Sequence, residues 1–384
     1  MIRAVVNAKR FLRRGGAKRL KKMFLVLASI VVTTAMMCVT AVHTPGIITD
    51  LAILSSAFAL PEGTGIAVEK EEEKPKPSPQ TEHNESDTSS EQQAVSNAVI
   101  DIPNAAPSYE VDEENRGRII EEKFSSTADK NAVVFGNGTI KNYTEKTLES
   151  IEKILKNPWS EKLSKDSQTV QVLIMHTHTT ESYEPCDRDY YDENYSARTL
   201  DEAYNMVKVG NALARVLSEN GIGVVHDTTV HDYPSYNGSY ERSAETVKGW
   251  LEKYPTIKVV LDIHRDAIER TVSGETVRVK PTTEINGKKA AQLMIIAGCD
   301  DGTMNMPNYK ENLRLAAALQ NQLETDHKSL TRPLMFDYRK YNQDLTTGSL
   351  LVEVGGHANS LDEAVYSAKL LGESLAKLLK TYMD

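Results

Sequence analysis

The sequence predicts an α/β domain, a mostly parallel sheet with helices on both faces, preceded by a transmembrane helix and a disordered linker. Three observations predict it. From Val170 onward, short β-branched apolar runs alternate with helical patterns; a twenty-residue run without charge occupies 23–42; and a polar, charge-rich tract separates the two. Strands that are apolar throughout and alternate with helices belong to parallel sheets covered on both sides. In such sheets ligands gather at the carboxyl ends of the strands.

Residues 1–22 read as a cytoplasmic basic segment. Nine Lys and Arg residues precede the apolar run (Arg3, Lys9, Arg10, Arg13, Arg14, Lys18, Arg19, Lys21, Lys22), and no acidic residue appears before Asp50. Met23–Val42, MFLVLASIVVTTAMMCVTAV, matches at about 1.5 Å per residue the ~30 Å hydrocarbon core of a bilayer. With the cations on one side only, the positive-inside rule keeps the N-terminus in the cytoplasm and sends the remainder across. A cleaved signal peptide is the alternative, with Ala57-Phe58-Ala59 as a small-residue cleavage site. That site lies far past the run, and the run exceeds the ~7–15 residues of a signal-peptide apolar region, which favours an uncleaved anchor.

Residues 43–105 read as a disordered linker. Their EKEEEKPKPSPQTEHNESDTSSEQQ tract (69–93) holds almost nothing able to build a core, so burial cannot offset the entropy of ordering. Residues 106–384 form the remaining domain. The net charge of −9 conceals an opposition: without the nine N-terminal cations the chain has 36 basic against 54 acidic residues, a net −18. A body that acidic is repelled by polyphosphate, which argues against nucleic acid as a partner. Of the three cysteines, Cys38 lies in the apolar run, and Cys186 and Cys299 allow at most one bridge. Neither has the CxxC spacing of a thiolate metal site.

Within the domain, strands are expected at Val170–Met175, Gly223–His226, Ile257–Ile263, Leu293–Ala297 and Leu350–Val354. Helical periodicity marks Leu200–Asn220, which stops before Gly221, and then Ser243–Tyr254, Asn312–Asp326 and Leu361–Tyr382. Between them lies DYPSYNGSYERS (232–243), a loop rich in tyrosine that reads equally as a sugar or peptide contact and as a plain connection.

Three strands run directly into ionisable residues: MHTHTTE after the first, LDIHRD at the third, and LLVEVGG at the last. All three are expected at one edge of the sheet. A catalytic zinc takes three imidazole or carboxylate ligands and leaves a position for water. His178 and Glu181, in H-x-x-E spacing, together with His264 are the candidate ligands. Glu353 is the candidate proton carrier, since a glutamate among aliphatic residues is costly to bury without a partner or a task. An ion pair with Arg265 or a lysine is its plainer alternative. Arg265 is the candidate to steady an oxyanion, the alternative being a salt bridge to Asp262 or Asp266. His176 competes with His178 as ligand or orients it. His226 and His231 fall on or after a different strand; His43, His83, His327 and His357 lie outside the group.

HTHTTESY, HDTTVHDYPSYNGSYERS, LDIHRDA and YNQDLTTGSLLVEVGGHANSLDEA, in that order, resemble the stage II sporulation protein P family of endospore-forming bacteria, from about Val170 to the C-terminus. The resemblance implies a zinc amidase-like domain and a Zn2+-dependent N-acetylmuramoyl-L-alanine amidase, with endopeptidase action on peptide cross-links, working on peptidoglycan during engulfment. It also implies the sporulation proteins D and M as partners, and a single-pass cell-membrane location with the catalytic domain outside the cytoplasm. The wider zinc amidases are matched more loosely: His176-Thr177-His178 stands where they have Gly-His-Gly, and Glu202 falls near their ligand glutamate, whereas the H-x-x-E pair of zinc carboxypeptidases supports Glu181. Two rival functions share these residues, a zinc peptidase acting on stem peptides and a non-catalytic wall-binding scaffold.

Overall fold

The computed structural model describes residues 106–125 and 130–384. The expected transmembrane helix at 23–42 and the linker at 43–105 lie outside the described residues. Among the described residues no helix is long and apolar enough to cross a membrane.

The chain opens with β1 (Arg116–Glu122), β2 (Ala132–Phe135), β3 (Gly138–Asn142) and α1 (Leu148–Leu155). There follow β4 (Val172–Met175), β5 (Tyr190–Asp192), α2 (Met206–Glu219), β6 (Val224–His226) and α3 (Ser239–Lys253). Next come β7 (Val259–Asp266), β8 (Glu269–Val272), β9 (Glu275–Ile285), β10 (Lys288–Ala291) and β11 (Leu293–Gly298). The last elements are α4 (Tyr309–Asp326), β12 (Leu334–Asp337), β13 (Ser349–Gly356) and α5 (Leu361–Lys380).

From Val170 onward every expected strand and helix is present, with ends moved by a few residues. The helix expected from Leu200 begins at Met206 because the Asn205 side chain accepts the Val207 N–H and so caps it. It ends where Gly221 takes φ 77°, the left-handed conformation a helix-terminating glycine supplies. α5 starts on a capping box, with Ser360 accepting the Glu363 N–H and Glu363 reaching back to the Ser360 N–H.

Among the described residues the main sheet has eight strands in the order β2-β3-β12-β11-β13-β7-β4-β6. It is mixed, a refinement of the mostly parallel sheet expected. β3, β12 and β11 run parallel, as do β13, β7, β4 and β6, but β11 meets β13 antiparallel and β2 meets β3 antiparallel. The reason is that β8, β9 and β10, which with β1 and β5 form a second sheet ordered β10-β9-β1-β5 with β8 beside β9, lie between β7 and β11 in the chain. That excursion returns the chain to the main sheet from the opposite end.

The pleat divides the apolar side chains between two faces. On one, Val172, Ile174, Leu261, Ile263, Val352 and Val354 pack with Val209, Leu213 and Leu217 of α2, Leu319 of α4 and Leu371 and Leu375 of α5. On the other, Leu173, Met175 and Val260 lie under Val247 and Trp250 of α3. Helices thus cover both faces, as expected. The second face continues past α3 over Leu351, Met294 and Ile296, where the packing partners are Met335 and the loop residue Tyr341.

Candidate active site

β4, β7 and β13 are neighbours and run parallel, so their carboxyl ends meet at one edge. In register, Glu353 of β13 lies beside His264 of β7, and Asp262 beside Met175 of β4. A bulge follows Glu353, since its pairing with His264 is succeeded by Gly356 with Asp266, and bulges of this kind re-aim side chains at sheet rims. Gly355 within it has φ 67°, and a Cβ there would lie 2.5 Å from Asn359 Oδ1. Only glycine fits two residues beyond the carboxylate.

Glu353 keeps a little solvent contact as a residue, yet its Oε2 is buried without a hydrogen-bond partner among the described residues. Burial, then the Asp266 and Glu181 carboxylates, push its carboxyl up to about 8 against the opposing charges of His264 and Arg332. His264 moves the same way. Burial works against its charged form, but Asp262 first, then Glu181 and Glu353, raise it to about 9. Its Nε2 lies 2.7 Å from Asp262 Oδ1 and its Nδ1 3.7 Å from Glu181 Oε2. Asp262 is steadied from below, accepting from Thr177 N at 2.8 Å and Thr177 Oγ1 at 2.7 Å.

His178 comes from the turn after β4. Its ring stacks on Tyr236 at 4.5 Å and meets Tyr240 and His264 edge-on at 5.6 and 5.1 Å. Burial, followed by the charges of His264 and Arg198, drives its basicity well below the usual value. Glu181, three residues on in the same turn, accepts from the Arg265 N–H at 3.2 Å and pairs with Arg198 at 3.4 Å. The structure therefore brings His178, Glu181, His264 and Glu353 together. Arg265 is buried nearby, but its guanidinium donates to the carbonyls of Ser182 and Ala197, both at 3.0 Å, and so ties the loop that follows Glu181. His176 points elsewhere: Nδ1 contacts the Ile263 carbonyl at 2.8 Å and Nε2 contacts His226 Nε2 at 2.9 Å. Glu202 is exposed, outside the cluster. Cys186 and Cys299 are free thiols.

The expectation of zinc is corrected. Among the described residues no group of three or more His, Cys, Asp or Glu side chains could hold a metal ion. The donor chemistry accounts for this. An imidazolium has no lone pair to offer, and His264 is held in that form by two carboxylates. His178 turns Nε2 to Tyr236 Oη at 3.0 Å and Nδ1 toward Ser239 Oγ at 3.5 Å, and Glu181 is occupied by Arg198 and the Arg265 N–H. The residues present do not fit the ion.

Sequence reasoning assigned no site role to Asp262, Tyr236, Tyr240 or Arg198. A signal existed for Asp262: in LDIHRD it precedes His264 by two, the spacing that places both on one face of a strand. The tyrosines lay in the loop already singled out at 232–243, and nothing in their spacing told which rings fold back on His178.

The family described as Stage II sporulation protein P (SpoIIP) matches residues 59–376. A protein of that name from Bacillus subtilis (strain 168) is 29% identical over 219 residues, which cover 54% of this chain and 50% of the relative. The chain thus spans about half the length of that curated relative. Solved structures with some likeness include the N-acetylmuramoyl-L-alanine amidase AmiC2 of Nostoc punctiforme, at 15% identity and TM-score 0.33, covering 56% of this chain and 97% of that one. Another is the amidase Ami1 from Mycobacterium smegmatis, at 11% identity and TM-score 0.33, covering 58% and 100%. Scores this low leave the likeness without weight for fold or chemistry. The family match extends over most of the sequence, inside and outside the described residues, and on it this chain belongs to the Stage II sporulation protein P family.

Proposed function

We infer that the chain is a peptidoglycan hydrolase of sporulation, cleaving the amide between N-acetylmuramic acid and L-alanine. The observation that carries this reading is Glu353: a carboxyl group with a buried, unpartnered oxygen, set beside a histidine that its carboxylate neighbours keep charged. A carboxyl raised to about 8 exchanges its proton near neutral pH, which suits general acid–base work. As a base it takes a proton from the attacking water; as an acid it passes that proton to the leaving amine. His264, paired with Glu353 across the ladder, supplies the strongest positive charge acting on it and is suited to steady the oxyanion of the tetrahedral intermediate. Arg265 acts by positioning, holding the Ser182 and Ala197 carbonyls and, through its N–H, Glu181.

In the same reading Met23–Val42 anchors the chain as a single pass in the cell membrane, with the catalytic part outside the cytoplasm, and the sporulation proteins D and M are its partners. Family membership supports both, and co-purification of the full chain with each protein tests the second.

The test of the chemistry is digestion of purified sacculi by the full chain, with products read by mass spectrometry. Peptide-free glycan is the expected product, and Glu353→Gln is expected to lower its release by roughly 10²–10⁴-fold while the protein stays folded. Shortened peptides still attached to sugar would instead identify a peptidase, and unaltered release from Glu353→Gln would remove Glu353 from the mechanism.

A further inference from the structure

The face of the main sheet that carries Glu353 does not end there. Met294 of β11 lies directly opposite Glu353, and the same face continues across β12 and β3 through Met335 and Lys141. Over it opens a cavity of about 290 Å3 whose lining includes Phe124, Lys141, Tyr143, Met294, Arg332 and Met335. That volume is near the lower bound of small-molecule sites, which run to roughly 300 Å3 and above. Its character departs from the acidic body around it: two cations contribute to the lining, and among the described residues no carboxylate does.

The cations are set against apolar and aromatic surface. Arg332 lies 5.1 Å above the Phe124 ring and donates to Asp266 at 2.8 Å, so one end of its guanidinium is held while its charge reaches Glu353. Lys141 lies 5.3 Å above the ring of Tyr143, which is 49% exposed. A groove with a methionine floor, aromatic walls and a positive rim suits a short peptide bearing free carboxylates. Met294, in its floor, stands opposite the proton-carrying carboxylate across the β11–β13 ladder, so the groove begins one strand away from Glu353.

We propose that the groove over β11, β12 and β3 is the peptide-side subsite of the active site, holding an anionic stem peptide whose first amide lies at Glu353, with Lys141 and Tyr143 gripping its far end. This rests on the amide-hydrolysis reading above. It fixes the direction of the substrate, since the sugar must then lie on the opposite side, toward Tyr236 and Tyr240. It also supplies a reason for an acidic protein to bind an anionic ligand: the contact charges are local.

The test is calorimetric titration of the full chain with a synthetic tripeptide, L-alanyl-γ-D-glutamyl-L-lysine, whose γ linkage leaves the glutamyl α-carboxylate free. Loss of a charge-assisted contact predicts that Lys141→Glu weakens binding roughly tenfold or more, with Tyr143→Ala showing a smaller loss and both retaining the parental melting temperature. On sacculi, both variants should raise KM with kcat little changed. Affinity within about twofold of the parent in both variants, or no binding of the tripeptide by the parent, would overturn the subsite. If the chain binds the tripeptide through these residues yet cleaves no wall, the groove stands and the hydrolase reading falls.

Discussion

Two imidazole pairs flank the end of β4, buried except for the half-buried His226, and their geometry is nearly the same. His176 and His226 meet edge-on with ring centroids 5.1 Å apart, and His178 and His264 meet edge-on at the same 5.1 Å. Their chemistry differs in one ring, since His178 is depressed like the first pair and His264 alone is raised. Burial, reinforced by His226, takes His176 down to about 3, and burial takes His226 down to about 4. The Ile263 carbonyl accepts from His176 Nδ1, which leaves the lone pair of His176 Nε2 facing His226 Nε2. His264, just as buried, is raised to about 9. The difference lies in what stands behind the ring: a carbonyl for His176 and an amide for His226, but Asp262 and Glu181 for His264. Burial alone makes a histidine inert; burial beside carboxylates makes it a fixed cation.

The largest expected effect comes from removing the carboxylate that creates the contrast. Asp262→Asn leaves His264 without its main counter-charge and should cost about 3–5 kcal/mol of folding stability, read by urea denaturation, together with a downward move of the His264 titration by NMR. Next is the pH dependence that His264 and the first pair impose in opposite senses. His264 has a folded value above its unfolded ~6.5, so its contribution is complete below that pH and is lost as pH rises through about 9. His176 and His226 have folded values below it, so theirs is complete above pH ~6.5 and is lost as pH falls toward 4 and 3. The summed contribution of these three histidines should pass through a maximum near pH 6.5, and His226→Phe, at a cost of roughly 1–3 kcal/mol for the unpaired His176 nitrogen, should flatten the acid limb in part, leaving the share of His176. The smallest effect is Asn211→Ala, which removes a partner 3.1 Å from His226 Nδ1 at an exposed position and should cost about 0.5–1.5 kcal/mol in the same assay. A loss larger than that of Asp262→Asn would reverse the ranking on which the comparison stands.

Much of this was legible in the sequence. The apolar runs placed β4, β7 and β13, and a strand that ends in ionisable residues can present them only at the sheet edge. Glu353 within LLVEVGG announced an expensive carboxylate, and it is the group with the unpartnered oxygen. The second sheet was not foreseen. β9 reads ETVRVKPTTEI, alternating Val277 and Val279 with charge and containing Pro281, a pattern that resembles loop as much as strand. Zinc was misread for a related reason: sequence gives the types of donor, whereas coordination depends on which lone pairs are already engaged. Asp262 next to His264, and Tyr236 folded back on His178, settle that, and both are facts of tertiary packing.

The order of strands has a further consequence, for the timing of assembly. β13, at residues 349–356, is the piece that joins β11 to β7, so until it docks the two halves of the main sheet share no ladder. Synthesis runs from the N-terminus, and pairing between distant segments must await the later one. The strand that closes the sheet also carries Glu353, so the proton carrier reaches its station only when the architecture around it is finished. A half-made chain, however much of it has already collapsed, is chemically unarmed.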